Sequence, residues 1–236
     1  MRKLVLISLF IFSSSALAAA DINIGTFYDY MNHDRNIAVK KIYNFGNETA
    51  FVKVSINEII YDDKGQPDER ELSGNGTRDL VASPSHMIIP SNGIQVIRFI
   101  YLGSREKERY YRIRFIPVLP EEMNLVSDAL NNNSQIQTGV KILTGYGSIL
   151  FIPPEDVQYK TNVLKKDGKV YIENKGNATI VVDNLERCNE EKKQCTQAEK
   201  LHILPEGKRE VSYDGYPLID FDLIEGSKST FNRISL

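Results

Sequence analysis

The chain is poor in the side chains from which catalytic sites are built. It has three histidines and two cysteines. No H-E-x-x-H, no G-x-S-x-G, no P-loop and no G-x-G-x-x-G following a strand occurs in it. His33, His86 and His202 lack acidic or thiol neighbours at ligand spacing and read as surface or turn residues. Ser104 to Lys107 matches S-x-x-K, but its S-D-N and K-T-G companions are missing and the match sits in a charged loop. Glu121-Glu122 and Asp62-Asp63 lie in turn-rich polar stretches and read as solvated. These absences argue against an enzyme, and no cofactor or resident metal is expected.

Long apolar runs are also scarce. The one candidate is the start of the chain, where Arg2 and Lys3 precede LVLISLFIF and then the small-residue stretch SSSALAAA. That order is a secretory signal peptide over 1–20, with cleavage placed between Ala18 and Asp21. No later stretch is apolar for long enough to span a bilayer, so no membrane anchor is expected. Removing the leader takes away two cations and leaves 27 basic against 31 acidic residues, a net charge of −4. That balance points to neither nucleic acid nor an anionic membrane as partner.

The cysteines, Cys188 and Cys195, lie in RCNEEKKQC. In an exported chain, two cysteines across a short polar loop read as one disulfide closing a hairpin. A metal site is the rival, but two thiols with no histidine or carboxylate pair beside them rarely make one.

No window has a convincing amphipathic helical period, although EEMNLVSDALNN (121–132) has room for a turn or two. Period-two alternation dominates instead, in FVKVSINEIIY (51–61), GIQVIRFIYL (93–102), YYRIRFIPV (110–118), GSILFIPP (147–154), KVYIEN (169–174) and ATIVVDNL (178–185). Turn chemistry separates these runs: NFGN, DDKG, SNG, Asp167-Gly168 and NKGN. The chain therefore reads as all-β, with short strands of the kind found in sandwiches. Pro153-Pro154 cannot continue a central strand and is placed at the domain boundary, giving domains at 21–153 and 154–236. The two parts echo each other, because KKIYNFGNETAFVKV (40–54) and KVYIENKGNATIVVD (169–183) both read strand, Asn/Gly turn, strand.

Two segments need a further account. In ERYYRIRFIP (108–117), Tyr111, Ile113 and Phe115 form an apolar face and leave Arg112 and Arg114 side by side on the other. Upstream of the prolines, Ile136, Thr138, Val140, Ile142 and Thr144 alternate along a long strand candidate that follows DALNNN. An edge strand displaying alternate hydrophobes is a hazard unless it is meant to pair with another chain's strand.

VIRFIYLG followed by EKERYYRIRF closely resembles the periplasmic chaperones of chaperone–usher pili, in the alternate branch that serves the Escherichia coli common pilus and CS1- and CFA/I-type fimbriae. INIGTFYDYMN, GSILFIPP and GNATI extend the resemblance over the mature chain. It implies two immunoglobulin-like β-sandwich domains in a boomerang, a periplasmic location, and pilin subunits and an outer-membrane usher as partners. It also implies a G1 strand at 135–152, whose alternate residues from Ile136 to Thr144 complete a subunit's open sandwich. In the conventional branch an arginine on the first strand and a lysine on G1 hold the subunit's C-terminal carboxylate. Here those positions fall at Tyr28 and at Ser148 or Ile149, which cannot do so. The basic positions matching the alternate branch are Lys40 and Arg112, with Arg114 as companion; they are the expected anchor. Related chaperones often carry an arginine just after the proline, whereas Glu155 and Asp156 follow here. The rival class is a structural fimbrial subunit or adhesin component. Such a subunit would begin with a donor extension of alternating hydrophobes, which INIGTFYDYMN does not supply.

Overall fold

The computed structural model describes residues 20–62, 65–72, 79–118, 143–191 and 194–235. Every element among them is a strand. The first ten are β1 (Ile22–Asn23), β2 (Tyr28–Tyr30), β3 (Ile37–Asn44), β4 (Ala50–Tyr61), β5 (Pro67–Glu71), β6 (Leu80–Ser83), β7 (His86–Ile89), β8 (Ile94–Tyr101), β9 (Arg109–Val118) and β10 (Tyr146–Ile152). Then follow β11 (Thr161–Lys166), β12 (Lys169–Asn174), β13 (Ile180–Cys188), β14 (Glu199–Ile203), β15 (Lys208–Ser212), β16 (Leu218–Glu225) and β17 (Lys228–Ser235).

The first ten make two sheets. One runs β1-β3-β8-β6; the other runs β2-β10-β9-β4-β5, with β7 also on β4. Their inner faces meet in one apolar cluster that includes Ile42, Ile97, Phe99, Tyr111, Ile113, Phe115 and Leu150. The remaining strands form a second pair of sheets, β11-β12-β15 and β14-β13-β16-β17. A separate cluster around Val170, Ile172, Val182, Ile219 and Phe221 fills them. The alternation seen in the sequence is what allows each sheet to present one apolar face to its partner.

The internal echo has a physical cause. Asn44 and Asn174 are both fully buried. Each accepts a hydrogen bond from the backbone N–H two residues on, Gly46 (3.0 Å) and Gly176 (2.9 Å). Each donates to the carbonyl four residues on, Glu48 (2.7 Å) and Ala178 (2.8 Å), and to one on a distant strand, Ile89 (3.1 Å) and Ile203 (2.9 Å). The same side chain thus pins the same turn in both sandwiches and satisfies groups that water cannot reach. Gly176 is required there, since a Cβ would stand 2.2 Å from the Gln158 carbonyl oxygen.

The disulfide is present: Cys188 and Cys195 are bonded and their residues pair across a hairpin. Glu186 lies close to both sulfurs, but bonded sulfurs offer no thiolate to a metal. The helix-turn candidate at 121–132 falls outside the described residues. So do Ile136, Thr138, Val140 and Ile142; Thr144 is described and exposed.

Candidate functional site

The site is built on the outer face of the sheet that contains β9 and β10. Arg112 lies opposite Ile149 on β10, and Ile149 lies opposite Tyr28 on β2. Of the two candidates for the missing G1 lysine, Ile149 is the register partner of Tyr28 and Ser148 has no partner on β2. Arg114 lies opposite Gly147, and the Arg112 stem passes over that glycine, within 3.5 Å of where a Cβ would be.

The two arginines converge. Arg112 Nε donates to Glu69 Oε1 (3.2 Å), and Arg114 donates to Glu69 Oε2 (2.5 Å). Burial of Glu69 pushes its carboxyl up, but the hydrogen bonds from Arg114 and Arg112 outweigh it and hold the group below the usual carboxylate range. One carboxylate thus serves two guanidinium groups, and a full positive charge remains unneutralised within the trio. All three side chains keep between a quarter and two-fifths of their surface exposed, so an anion can reach them.

Lys40 is differently placed. Its ammonium is only 6% exposed and donates to both Asp29 oxygens (2.9 and 2.8 Å) and to the Thr26 carbonyl (2.8 Å). These bonds tie β3 to β2 and to the residues entering it, and the sequence-matched partner of Arg112 is held by different residues. Thr26 and Asp29 were not legible in the sequence, because nothing in INIGTFYDYMN shows which side chain on another strand they meet.

Next to the arginines the face becomes aromatic and reaches the second sandwich. Phe151 on β10 stacks on Tyr30 (5.1 Å between ring centroids) and on His202 of β14 (5.1 Å), and Tyr110 meets it edge-on (5.6 Å). Tyr28 also packs on His202 (4.1 Å), and the Tyr30 hydroxyl is 2.6 Å from His202 Nε2. This corrects the reading of His202 as a surface or turn residue. It is in a strand, it bridges the two sandwiches, and burial, then repulsion from Lys200, lowers its pKa to about 4. Its face is explained by the other sandwich, whose Tyr28, Tyr30 and Phe151 it meets.

Glu108 makes the second bridge. It is 9% exposed and accepts from the Thr179 backbone N–H (2.9 Å), the Thr179 hydroxyl (2.5 Å) and the Tyr110 hydroxyl (2.7 Å). Burial raises its carboxyl pKa against those bonds. Burial, followed by the Glu108 charge and its hydrogen bond, raises the Tyr110 hydroxyl, which stays a donor. At the hinge, Arg105 in the S-x-x-K match accepts at its carbonyl from the Glu155 backbone N–H (3.0 Å), and its guanidinium donates to the Pro153 carbonyl (3.0 Å). Between the sandwiches lies a cleft of about 610 Å³, lined by Tyr30, His33, Glu108, Phe151, Tyr159 and Lys200 among others. The rings of Tyr30, Phe151 and Tyr159 give it an aromatic lining.

Beyond this cleft, β10 is flanked on its outer side by β2 only at Ile149 to Phe151. Among the described residues, the edge at Tyr146 to Ser148 has no strand beside it.

Over 181 residues the chain is 26% identical to the probable fimbrial chaperone EcpB of Escherichia coli strain K12, spanning 76% of this chain and 75% of that protein. The chain resembles the fimbrial chaperones. The class 5 fimbriae chaperone CfaA superposes with a TM-score of 0.54 at 19% identity, covering 92% of this chain and all of the other. A chain from the structure of the Salmonella enterica SafA pilin in complex with the SafB chaperone gives 0.57 at 14% identity, covering 94% and 99%. No family model matches the chain. The fold is thus that of the solved fimbrial chaperones, two immunoglobulin-like sandwiches in one chain.

Proposed function

We propose that the protein is a periplasmic chaperone, without enzymatic activity, that binds fimbrial subunits and presents them to an outer-membrane usher. The observation that carries this reading is the match to a fimbrial chaperone over three quarters of the chain, on the fold those chaperones share. The signal peptide at 1–20 supports export, and the domains are taken as 21–153 and 154–236.

The segment 136–144 is the strand offered to the subunit. In the sequence it leads through Gly145 into β10, whose edge at Tyr146 to Ser148 has no described strand beside it. Its alternate residues Ile136, Thr138, Val140, Ile142 and Thr144 have the same parity as Tyr146, Ser148 and Leu150, which face the apolar core. A sandwich lacking a strand exposes both unpaired backbone groups and apolar surface, and a donated strand covers both at once. Arg112 and Arg114 anchor the subunit's C-terminal carboxylate through the charge that Glu69 leaves unneutralised. Lys40 belongs to the same anchor only if Asp29 yields one of its contacts.

The test is periplasmic co-expression with a candidate pilin subunit followed by purification of the chaperone. A soluble one-to-one complex supports the reading. A pilin that is equally soluble without the protein, with no complex recovered, rejects it.

A further inference from the structure

The opposite side of the first sandwich has an unusual surface. On the outer face of β3 stand Ile37, Val39, Lys41 and Tyr43; across from them on β8 stand Ile100, Arg98, Val96 and Ile94. Val81 of β6 lies beside Ile100. Ile37 is 51% exposed, Val39 61% and Ile94 54%; Phe45, which stacks on Tyr43, is 62% exposed. Six of these eight positions on β3 and β8 are apolar, and no acid occurs anywhere in β3, β8 or β6.

The second sandwich shows what an ordinary solvent face looks like in this chain. On the outer face of β12 and β15, Lys169 pairs with Glu210 and Lys208 with Glu173, and Lys208 also covers the Tyr171 ring. Charged side chains there shield the sheet. On β3 and β8 the hydrophobes are instead left in water, beside two cations that have no acid on their own strands.

We propose that the outer face of the β1-β3-β8-β6 sheet docks a short segment of a partner protein, one carrying apolar residues flanked by carboxylates. The size of the patch sets the first condition. Three strands about 4.8 Å apart and six residues of rise make an area of roughly 10 Å by 20 Å. That is well below the ~800 Å² per partner of a stable two-protein interface. It suits one strand or one helical turn pair.

The charges set the second condition. Lys41 and Arg98 are exposed diagonal neighbours, roughly 7 Å apart by strand geometry, and form no ion pair among the described residues. Carboxylates at alternate positions of an extended segment have that spacing. A second copy of the chain would bring Lys41 and Arg98 against their own counterparts. A lipid surface is ordinarily held by clusters of four to eight cations, of which two are present. The face is separate from the arginine-bearing sheet used for subunit capture, so the two readings fail independently.

The experiment titrates the isotope-labelled mature protein with a soluble peptide alternating leucine and glutamate, and with its leucine–lysine counterpart, and follows backbone amide shifts. The acidic peptide is expected to shift amides in 37–45 and 94–100, and the basic one to bind about tenfold more weakly or worse. Val39→Glu with Ile94→Glu should abolish these shifts while leaving the melting temperature and pilin capture unchanged. Both positions are exposed, and Arg98→Glu provides a second variant that keeps every hydrophobe. Equal response to both peptides, shifts confined to other surfaces, or no shifts at all would overturn the proposal. So would dimerisation of the wild type that the double variant loses. Binding to phosphatidylglycerol vesicles but to neither peptide would assign the face to lipid and overturn it as well.

Discussion

Arg112 and Arg114 share a single acid, so removing a base and removing that acid should have opposite consequences. Arg112→Ala should abolish recovery of a pilin complex. Losing one partner of a charge-assisted contact in a partly dehydrated cleft costs ~2–5 kcal/mol. The melting temperature should barely move, because Arg112 is a third exposed and such substitutions usually stay within ~0.5 kcal/mol. Glu69→Gln should strengthen retention of the same subunit, since it removes the resident competitor for both guanidinium groups. Pull-down yield against added salt reads both effects, and weaker retention in Glu69→Gln would count against the anchor. Lys40→Ala should behave differently again. It leaves Asp29 without its buried partner, a loss of about 1–3 kcal/mol, so it should lower the melting temperature in the free protein. The arginine pair was visible as two bases on one strand face. Glu69 was not, because its part depends on β5 folding back along β4, which no local pattern in PDERE announces.

At the scale of elements, strands and turns were largely legible, because period-two runs and Asn/Gly turns are local. Asp167 and Gly168 both take positive φ in the two-residue connection between β11 and β12. The repeated Asn was legible as an echo, and its cause became clear only in the buried hydrogen bonds of Asn44 and Asn174. The strand proposed to meet the subunit, 136–144, precedes in sequence the β10 edge that no described strand covers. If that proposal holds, replacing Val140 and Ile142 together with Asp should leave the free protein folded, because the charges would then be solvated. In a complex the same carboxylates would be buried unpaired. Circular dichroism of the purified variant decides: an unfolded double variant would place these residues in the chaperone's own core. The Cys188–Cys195 bridge closes a loop with a sequence separation of 7, short enough that chain entropy assigns it only about 2–3 kcal/mol. Cys188→Ala with Cys195→Ala should thus lower the denaturation midpoint yet still yield pilin complex. Loss of capture at a temperature where that variant is folded would indicate a role beyond stability.

The whole molecule depends on a junction that composition and periodicity could not show, because its members are 71 residues apart at Glu108–Thr179 and 172 apart at Tyr30–His202. His202 gives that junction an acid-sensitive component. Its pKa is about 4 in the folded protein against an ordinary value of 6.5, so its contribution to stability is complete above pH 6.5 and is lost as pH falls from there towards 4. Lys200 on its own strand opposes protonation, Asp183 on β13 favours it, and Tyr30 supplies the facing hydroxyl. Glu108, with a raised carboxyl pKa, has the opposite sign, since its desolvation cost is relieved on acidification. Melting temperatures measured from pH 7 to pH 4 should therefore fall less steeply in His202→Phe than in the wild type; parallel curves would remove His202 from the account. The proposed capture of a subunit by the strand at 136–144 is open to a direct mass measurement. Native mass spectrometry of periplasmic material from cells co-expressing a pilin tests it most directly. The account predicts a one-to-one chaperone–pilin mass with the wild type and only free chaperone with the folded Val140→Asp, Ile142→Asp variant. A complex of equal abundance with both would contradict it.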